Sequence, residues 1–395
     1  MIKSLLDTDF YKFTMMQAVL HNYPGAMVRY EFKWRNWDQM QLRISAKDFV
    51  ARLKKHLDTL CELRFTPDQL NYMAGIEFFT PDFIEFLHMF QLNRSYIRCR
   101  VDESGEPKIT VEGPWLSTIL FEVPVLATVS ELYTENGPSM GAEWQMEGRK
   151  RREAKFKMLE AGLHRDMAFG FADFGTRRRA SQAFHEETLA YTIENYGKYL
   201  TGTSNVHLAM KYGITPIGTM AHEWLQAHQQ LGARLVDSQS AALQTWSNEY
   251  RGELGIALSD CLGFDMFLKD FDRYFALLFD GCRHDSGDPI WWGNKLINHY
   301  KSLRIDPMTK SAVFSDGLNF ELAIELFKRF HTSIRTGFGI GTYYTNDCGF
   351  IAPQIVMKIV ECNGKPTAKI SDSAGKGMCE DASFEAYLRK IIEER

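Results

Sequence analysis

FADFGTRRR, residues 171–179, places an arginine-rich polar turn directly after an apolar run with strand character, and the same arrangement recurs along the chain. The apolar runs are MAFGFADF (167–174), TPIGTM (215–220), LGIALSD (254–260), YFALLFDG (274–281), SAVFSDG (311–317) and RTGFGIG (335–341). Helical patterns separate several of them, as at 181–197 and 320–331. This alternation predicts a parallel sheet. Because each run ends in a polar motif, we expect an α/β fold built on an irregular β/α, TIM-like barrel rather than an open sheet.

Other patterns flank this region on both sides. VRYEFKWRN (28–36) alternates like a half-buried strand, and 97–115 reads as a hairpin. NGPSMG (136–141) has the composition of a linker. Near the C-terminus, Asn363-Gly364 predicts a hairpin turn within 355–372. We therefore divide the chain into three parts, which are an α+β N-terminal domain at 1–135, the barrel at 136–350, and a C-terminal hairpin and helix at 351–395.

Composition argues against nucleic-acid and membrane partners. The net charge is −4, and we interpret the basic run GRKRREAKFK (148–157) as a solvated helix face rather than a nucleic-acid site. The N-terminus lacks the pattern of a signal peptide, and we expect no apolar stretch long enough to span a bilayer. The seven cysteines are scattered without zinc spacing, which is typical of reduced thiols in a cytoplasmic protein without a structural metal.

The polar motifs indicate a phosphorylated ligand. GFGIGT (337–342) has three glycines that would let the backbone approach an anion, although glycine-rich turns are often only tight turns. The arginines of DFGTRRR could bind phosphate or form a solvated basic turn. Phe174 could stack on a ring or belong to the core. Asp285 and Asp316 could bind ribose hydroxyls, or they could serve only a turn or an internal ion pair.

GTMAHEW (218–224) supplies a candidate reactive histidine. His222 follows an apolar run and precedes Glu223, whose carboxylate could orient the imidazole ring. Such a histidine could capture a phosphoryl group or serve as an acid or base, but a lone histidine is more often structural. Together these motifs predict a phosphosugar site with a possible nucleophile.

In order along the chain, eight motifs resemble the nicotinate phosphoribosyltransferase family. They are LLDTDFYKFTMMQA (5–18), DFGTRRR (173–179), GTSN (202–205), GTMAHEWLQAHQQ (218–230), RHDSGDP (283–289), FSD (314–316), FGIGT (338–342) and VECNGKPTAKISDSAGK (360–376). The resemblance implies a homodimer with shared active sites, in which C-terminal residues complete the N-terminal domain. It implies condensation of nicotinate with 5-phosphoribosyl 1-pyrophosphate in NAD salvage, coupled to hydrolysis of the co-substrate ATP and assisted by Mg²⁺ that the substrate phosphates mainly hold.

The resemblance also implies roles for individual residues. His222 corresponds to a transiently phosphorylated histidine, and Arg177 and Asp285 complete the catalytic set. Tyr11, donated by the partner subunit, and Phe174 correspond to the aromatic pair around the pyridine ring. The remaining nicotinate residues are Thr176, Ser204, Thr219 and Arg283; those for the phosphoribosyl group are Arg177, Asp285, Asp316, Gly339, Gly341 and Thr342. Tyr343-Tyr344 depart from the family pattern, in which a basic or small residue often follows FGIGT.

Two alternatives remain at this stage. A related phosphoribosyltransferase could use quinolinate, which would demand a denser cationic pocket, or nicotinamide, for which relatives tend to carry Asp at the position of Ser204. The chain could also be a non-catalytic nucleotide-binding module. Retention of Arg177, His222 and Asp285 in their motifs favours an enzyme.

Overall fold

A computed structural model describes residues 1–137, 141, 143–163, 167–373 and 376–394. Its strands are β1 (Met27–Trp34), β2 (Ile97–Val101), β3 (Pro107–Pro114), β4 (Phe171–Asp173), β5 (Leu200–Thr203), β6 (Arg251–Leu254), β7 (Ile256–Leu258), β8 (Gly281–His284), β9 (Ser311–Phe314), β10 (Arg335–Ile340), β11 (Ile355–Cys362) and β12 (Lys365–Pro366).

Helices surround these strands. They are α1 (Tyr11–Asn22), α2 (Ala46–Glu62), α3 (Pro67–Ala74), α4 (Pro81–Met89), α5 (Trp115–Thr118), α6 (Glu122–Asn136), α7 (Glu143–Gly162), α8 (Gln182–Tyr196), α9 (Val206–Tyr212), α10 (His222–His228), α11 (Ser238–Tyr250), α12 (Phe264–Asp270), α13 (Arg273–Leu278), α14 (Pro289–Ser302), α15 (Phe320–Phe330), α16 (Thr342–Thr345) and α17 (Ala382–Glu394).

An antiparallel sheet joins the two ends of the chain. Its strand order is β12-β11-β1-β3-β2, so a C-terminal strand pairs directly with the first strand. β1 alternates buried and more exposed residues, as a sheet with one face on the core requires. This pairing brings residues near 358 beside the N-terminal part of the chain.

A parallel sheet forms the second layer, with the order β5-β4-β10-β9-β8-β7 among the described residues. The predicted parallel sheet is therefore confirmed, but its ladder does not close into a barrel. Residues 215–219 lie between the two edge strands: Thr203 and Thr215 share a backbone hydrogen bond, and the Thr219 hydroxyl donates to the Ile256 carbonyl at 2.8 Å. Only an isolated bridge between Thr203 and Pro216 has strand geometry there.

Two of the apolar runs were interpreted wrongly as strands. TPIGTM forms that single bridge, since Pro216 lacks the N–H that a ladder needs and Gly218 has a φ of 159°. In YFALLFDG the apolar residues belong to α13, which the Asp272 side chain caps by accepting from two backbone N–H groups. The neighbouring strand β8 begins only at Gly281.

The apolar segment 115–136 is a buried central helix. A 3₁₀ turn over Ile119–Phe121 interrupts it, and α6 begins at Glu122. Pro124 therefore lies in the first turn of α6, where a backbone N–H has no partner within the helix and its absence costs no hydrogen bond. The expectation that no stretch is long enough for a bilayer was wrong, because Trp115–Asn136 has the length and composition to cross one. Since 94% of its most apolar window is buried inside the protein, it has the character of a core helix.

The C-terminal region contains the predicted turn. Asn363 and Gly364 have positive φ values of 51° and 73° and connect β11 to β12. α17 packs its buried Leu388 with Leu262 and Met266, rather than on the N-terminal domain as predicted, because its apolar side faces the start of α12.

Two further predictions concern the middle of the chain. Half of the proposed linker at 136–141, residues 138–140, lies outside the described residues, and the three domain boundaries stay predictions. The basic run 148–157 lies within α7, where Arg149 and Arg152 pair with Glu187 of α8 and Arg151 pairs with Asp347. These pairs occupy the basic side chains with neighbouring carboxylates.

Candidate active site

A cavity of about 570 Å³ lies where the carboxyl ends of the parallel strands face the antiparallel sheet. Turns after β4, β8, β9 and β10 form one side, and β11 and the start of α1 form the other. Ten residues singled out in the sequence line it: Tyr11, Phe174, Arg177, Ser204, His222, Arg283, Asp285, Asp316, Gly341 and Thr342. Residues from distant parts of the chain thus meet at one site.

Two predicted nicotinate contacts do not line this cavity. Thr176 is fully buried and its hydroxyl accepts from the Asn205 amide at 3.3 Å, so it supports the wall behind the cavity. The Thr219 hydroxyl donates its hydrogen bond to the Ile256 carbonyl. Both hydroxyls therefore make hydrogen bonds within the protein instead of lining the cavity.

Gly339 was assigned to the phosphate site, but the structure gives it a packing role. A Cβ added at Gly339 would lie 2.3 Å from the Phe174 ring, so only glycine leaves room for that ring. Gly339 is buried in β10 and does not line the cavity. Of the two glycines assigned to phosphate, only Gly341 faces the cavity, beside Thr342 at the start of α16.

Tyr11 lies in the cavity of its own chain, whereas the family resemblance implied that the partner subunit donates it. The preceding residues are tied to the turn after β5: Phe10 N–H donates to Ser204 O at 2.7 Å, and Val206 N–H donates to Thr8 O at 3.1 Å. This pairing carries the start of α1 onto the parallel sheet. Tyr11 is consequently buried, and the approach of its backbone to Gly218 leaves no room for a side chain there.

His222 is held by a buried carboxylate at the cavity wall. Its Nε2 lies 2.8 Å from Asp260 Oδ1, and the other oxygen of Asp260 receives Ser286 Oγ at 2.6 Å and Lys369 Nζ at 2.8 Å. The orienting carboxylate is therefore Asp260, at the end of the run LGIALSD, and not the neighbouring Glu223. With Nε2 donating to Asp260, the unprotonated nitrogen is Nδ1.

Burial and two nearby lysines, Lys369 and Lys358, lower the pKa of His222 to about 3. The imidazole is thus neutral at physiological pH, as a nucleophile must be. Lys358 Nζ lies 3.3 Å from Nδ1, and burial lowers the pKa of this lysine to about 8. The nucleophilic nitrogen consequently sits beside a cation that could bind an incoming phosphoryl oxygen.

Glu223 belongs to a buried charge cluster with Lys12 and Glu122. Lys12 Nζ lies 2.5 Å from Glu122 and 2.6 Å from Glu223, and the Tyr30 hydroxyl donates to Glu223 at 2.5 Å. All of these side chains are buried, and both glutamates reach the cavity. The cluster joins α1, which carries Tyr11, to α10, which carries His222.

Arg177 and Ser204 meet at Asp9. Arg177 lies 3.6 Å from Asp9 and 3.8 Å from Glu122, which leaves its guanidinium only loosely paired and directed into the cavity. Ser204 Oγ donates to Asp9 Oδ1 at 2.7 Å. Burial raises the pKa of Asp9 despite the nearby Arg177, so an additional negative charge here would be unfavourable.

Three polar groups of residues lining this cavity have no hydrogen-bond partner in the described part of the chain. They are the Tyr11 hydroxyl, the Arg35 Nε and the Arg283 Nε, all buried. Buried donors are rarely left unsatisfied, so such groups at a cavity wall indicate a ligand that satisfies them. An arginine and a phenol in the cavity that Phe174 also lines suit an aromatic ring bearing a carboxylate.

The turns after β8, β9 and β10 have the character of a sugar-phosphate site. Asp285 accepts from Ser315 Oγ at 2.9 Å and lies 3.7 Å from His222, and Lys376 pairs with Asp316. Tyr343, which follows β10, also lines the cavity, with Lys155 Nζ 3.8 Å from its ring centroid. Tyr344 instead points away and bonds Thr192 at 2.7 Å, so its hydroxyl serves packing.

A divalent cation has limited protein ligands here. His222, Asp260 and Asp285 place possible ligand atoms within 4.8 Å of one another. Lys369 and His222 already occupy both oxygens of Asp260. Asp285 is left to contact a cation, which fits Mg²⁺ bound mainly through substrate phosphates.

Sequence reasoning missed the basic residues contributed by the C-terminal strand. Lys358, Lys369 and Lys376 line the cavity because β11 pairs with β1 and carries the following segment past the parallel sheet. Two of them lie in the motif at 360–376, but no spacing in the chain connects them with His222. Asp260 could have been found, since it ends an apolar run like the other site aspartates.

Comparison with family models gives two matches that together span most of the chain. Residues 6–130 match the nicotinate phosphoribosyltransferase (NAPRTase) N-terminal domain, and residues 169–394 match the nicotinate phosphoribosyltransferase (NAPRTase) family.

Curated proteins and solved structures with the same description resemble the whole chain. Nicotinate phosphoribosyltransferases of Xylella fastidiosa strain 9a5c and Acidovorax sp. strain JS42 are each 50% identical to it, over 99% of this chain and 98% of theirs. The crystal structure of the Vibrio cholerae nicotinate phosphoribosyltransferase superposes with a TM-score of 0.91 at 36% identity, covering 99% of this chain and 94% of that one. That of the Porphyromonas gingivalis protein gives 0.89 at 32% identity, covering 99% and 100%.

Proposed function

The chain belongs to the nicotinate phosphoribosyltransferase family of enzymes, and on that premise we propose that it couples synthesis of nicotinate mononucleotide to ATP hydrolysis through a phosphorylated His222. Nicotinate and 5-phosphoribosyl 1-pyrophosphate are the substrates that follow from the family. The observation that carries the coupling is the geometry of His222, with Nε2 fixed by Asp260 and Nδ1 beside Lys358 at the cavity wall.

The base would bind at the end of the cavity that contains Phe174 and Tyr11. Stacking on an aromatic face and a charge-assisted bond to Arg283 would hold the pyridine nitrogen toward the ribose. Fixing the two reactants in this way lowers the barrier because little orientational freedom remains to be lost. The pyridine nitrogen already carries a lone pair, so its attack on the ribose requires no general base.

The phosphoribosyl group would bind among the turns after β8, β9 and β10. Asp285 and Asp316 offer acceptors for ribose hydroxyls, and Gly341 and Thr342 offer backbone and hydroxyl groups for the 5′-phosphate. Breaking the bond at the anomeric carbon leaves negative charge on pyrophosphate, which Arg177 and Lys358 are placed to stabilise. Mg²⁺ bound through the substrate phosphates and Asp285 would neutralise part of the same charge.

In the coupling step, the Nδ1 lone pair of His222 would attack the γ-phosphorus of ATP. The bond between the γ-phosphorus and the bridging oxygen breaks, and ADP leaves. The Nε2 proton stays hydrogen-bonded to Asp260, which stabilises the positive charge on the phosphorylated ring. Transfer of the phosphoryl group to water later regenerates the neutral imidazole.

We test this with His222→Asn, and with His207→Asn as a control on a half-buried histidine outside the cavity. His222→Asn should abolish acid-labile labelling by γ-labelled ATP and ATP hydrolysis, while a weak ATP-independent transfer to nicotinate remains. His207→Asn should label normally. Acid-labile label at the normal level in His222→Asn would show that another residue accepts the phosphoryl group.

Comparison of base substrates tests the reaction itself. Nicotinate, quinolinate and nicotinamide should be offered with 5-phosphoribosyl 1-pyrophosphate, with and without ATP, and pyrophosphate release measured. We expect nicotinate to be preferred, and ATP to raise its turnover. Failure to release pyrophosphate with any base would favour a non-catalytic nucleotide-binding protein.

The quaternary state and the compartment are also proposals. The family resemblance supports a homodimer, which sedimentation of the purified protein would test. Tyr11 lines the cavity of its own chain, so the homodimer is proposed without relying on a Tyr11 contact across the interface. All seven cysteines are free in the described structure, which supports a cytoplasmic location.

A further inference from the structure

A second cavity, of about 390 Å³, lies at the opposite end of the parallel strands. Its walls come from the residues that precede β4, from residues within β4, β5, β9 and β10, and from Phe174 and Ile217. The active-site cavity is formed beyond the carboxyl ends of the same strands. Nothing in the reaction described above uses this second space.

The two cavities lie along one face of the sheet. In β4 and the residues flanking it, Gly170, Ala172 and Phe174 are two residues apart and therefore point the same way. Gly170 and Ala172 line the second cavity, and Phe174 lines both. Gly337 and Gly339 repeat this arrangement on β10. Bulky branched side chains usually fill the interior of a β/α barrel, and small residues at these positions leave the space open.

Phe174 and Ile217 form the common wall between the two cavities. Both side chains are only half-buried, and the Phe174 ring rests directly on Gly339. Phe174 thus contributes both to the nicotinate site of the proposed function and to the second cavity. A molecule in the second cavity would contact the residue that stacks on the base.

We propose that the second cavity binds a planar, uncharged aromatic ring and that its occupancy tightens nicotinate binding by restricting Phe174. The volume falls in the range of small-molecule sites. Among the described residues the lining is mostly apolar, and the one charged side chain in that part of the wall, Lys198, is exposed and lies near Glu160 and the Tyr199 ring. An ionised ligand would therefore find no buried counter-charge among these residues, whereas an apolar ring would match the lining. The effect on nicotinate rests on the proposed function, but binding of the ring does not.

Gly337 offers a variant that fills this cavity alone. A Cβ at Gly337 would lie 3.5 Å from Val313, an ordinary contact, and Gly337 lines the second cavity but not the active site. Gly337→Leu should therefore occupy the space with its own side chain. Gly197→Leu is the matched control, because Gly197 has a φ of −55° and nothing lies within 4 Å of its added Cβ.

Quinoline and indole serve as probes, with binding followed by ligand-observed NMR titration. We expect saturable binding to the unchanged protein and to Gly197→Leu, and loss of binding in Gly337→Leu. Saturating nicotinate should not displace the probes. Binding that is absent from the unchanged protein, that persists in Gly337→Leu, or that nicotinate abolishes by competition would overturn the proposal.

Kinetics then test the coupling. A saturating probe should lower the KM for nicotinate about fivefold in the unchanged protein, while the KM for 5-phosphoribosyl 1-pyrophosphate stays the same. Gly337→Leu should be insensitive to the probe. An unchanged nicotinate KM with the probe demonstrably bound would refute the coupling. Because binding is measured without turnover, this outcome is distinct from failure of the proposed reaction.

Discussion

At the scale of single residues, the site depends on which carboxylates are already paired. Asp260 is committed to His222, Ser286 and Lys369, whereas Asp285 keeps an oxygen near the cavity. Asp9 is buried, and its carboxylate accepts from the Ser204 hydroxyl at 2.7 Å. A change at Ser204 therefore acts on a carboxylate that lies within the cavity wall.

Ser204→Asp should lower kcat/KM for nicotinate by tenfold or more, and lower that for nicotinamide much less. In the wild-type chain Ser204 Oγ lies 2.7 Å from Asp9 Oδ1, so the new carboxylate would lie close to that of Asp9. Its charge would also repel the substrate carboxylate in a poorly solvated site. Steady-state kinetics with both bases measure the ratio. Ser204→Asn, similar in size and uncharged, is the control, and equal losses for the two bases in Ser204→Asp would remove Ser204 from the determinants of specificity.

The pH dependence of phosphoryl transfer should reflect Lys358. Its pKa of about 8 means that it is a cation below pH 8 and neutral above. Labelling of His222 by ATP should therefore fall about tenfold as the pH rises through this range, because a charge-assisted hydrogen bond is lost. No acid limb is expected near pH 6.5, because the pKa of His222 is about 3 and the ring is already neutral there.

Lys358→Arg provides the control for that pH profile, since arginine keeps its charge to much higher pH. The fall above pH 8 should move to higher pH in this variant, and Lys358→Met should lower labelling at every pH below 8. An alkaline limb that stays at the same pH in Lys358→Arg would assign it to another group.

At the scale of elements, α1 and α10 are joined by the buried cluster of Lys12, Glu122 and Glu223. The contact is reinforced by the Thr14 hydroxyl, which donates to Thr219 O at 2.6 Å. One helix presents Tyr11 and the other presents His222. Their relative position should therefore depend on Lys12, which is the only cation within 4 Å of Glu223 among the described residues.

Lys12→Met should destabilise the protein by about 3–5 kcal/mol, because two buried carboxylates lose their counter-charge. Lys390→Met, which removes an exposed pair with Glu394 at 3.6 Å, should have an effect below about 1 kcal/mol. Denaturant midpoints measured by circular dichroism compare the two. A Lys12→Met midpoint equal to that of Lys390→Met would show that the cluster does not hold the helices together.

At the scale of the whole molecule, Tyr11 and Phe174 line the cavity of their own chain. The hydrogen bonds of residues 6–10 to residues 204–207 fix this arrangement within one chain. A mixture of Tyr11→Ala and His222→Ala proteins should therefore recover no activity, since no cavity in such a mixture has both residues intact. Recovery in verified mixed dimers, measured as nicotinate mononucleotide formed, would show that Tyr11 crosses between subunits.

Much of the fold and site followed from the sequence. An alternating run predicted β1, apolar runs predicted most of the parallel strands, and Asn363-Gly364 predicted a turn, because these are local preferences of the backbone. The apolar residues of YFALLFDG are compatible with either a strand or a helix. In the structure the Asp272 side chain caps a helix there.

By itself, the sequence determined which chemical groups the protein has and that most of them follow strands of a parallel sheet. Only the tertiary structure decided their partners, because pairing across the chain depends on packing rather than on spacing. In the folded chain, His222 is hydrogen-bonded to Asp260 instead of Glu223, and Gly339 packs against the Phe174 ring. The pairing of β11 with β1 places Lys358 beside Nδ1 of His222. The tertiary structure also left the sheet unclosed, since Pro216 cannot donate to a ladder.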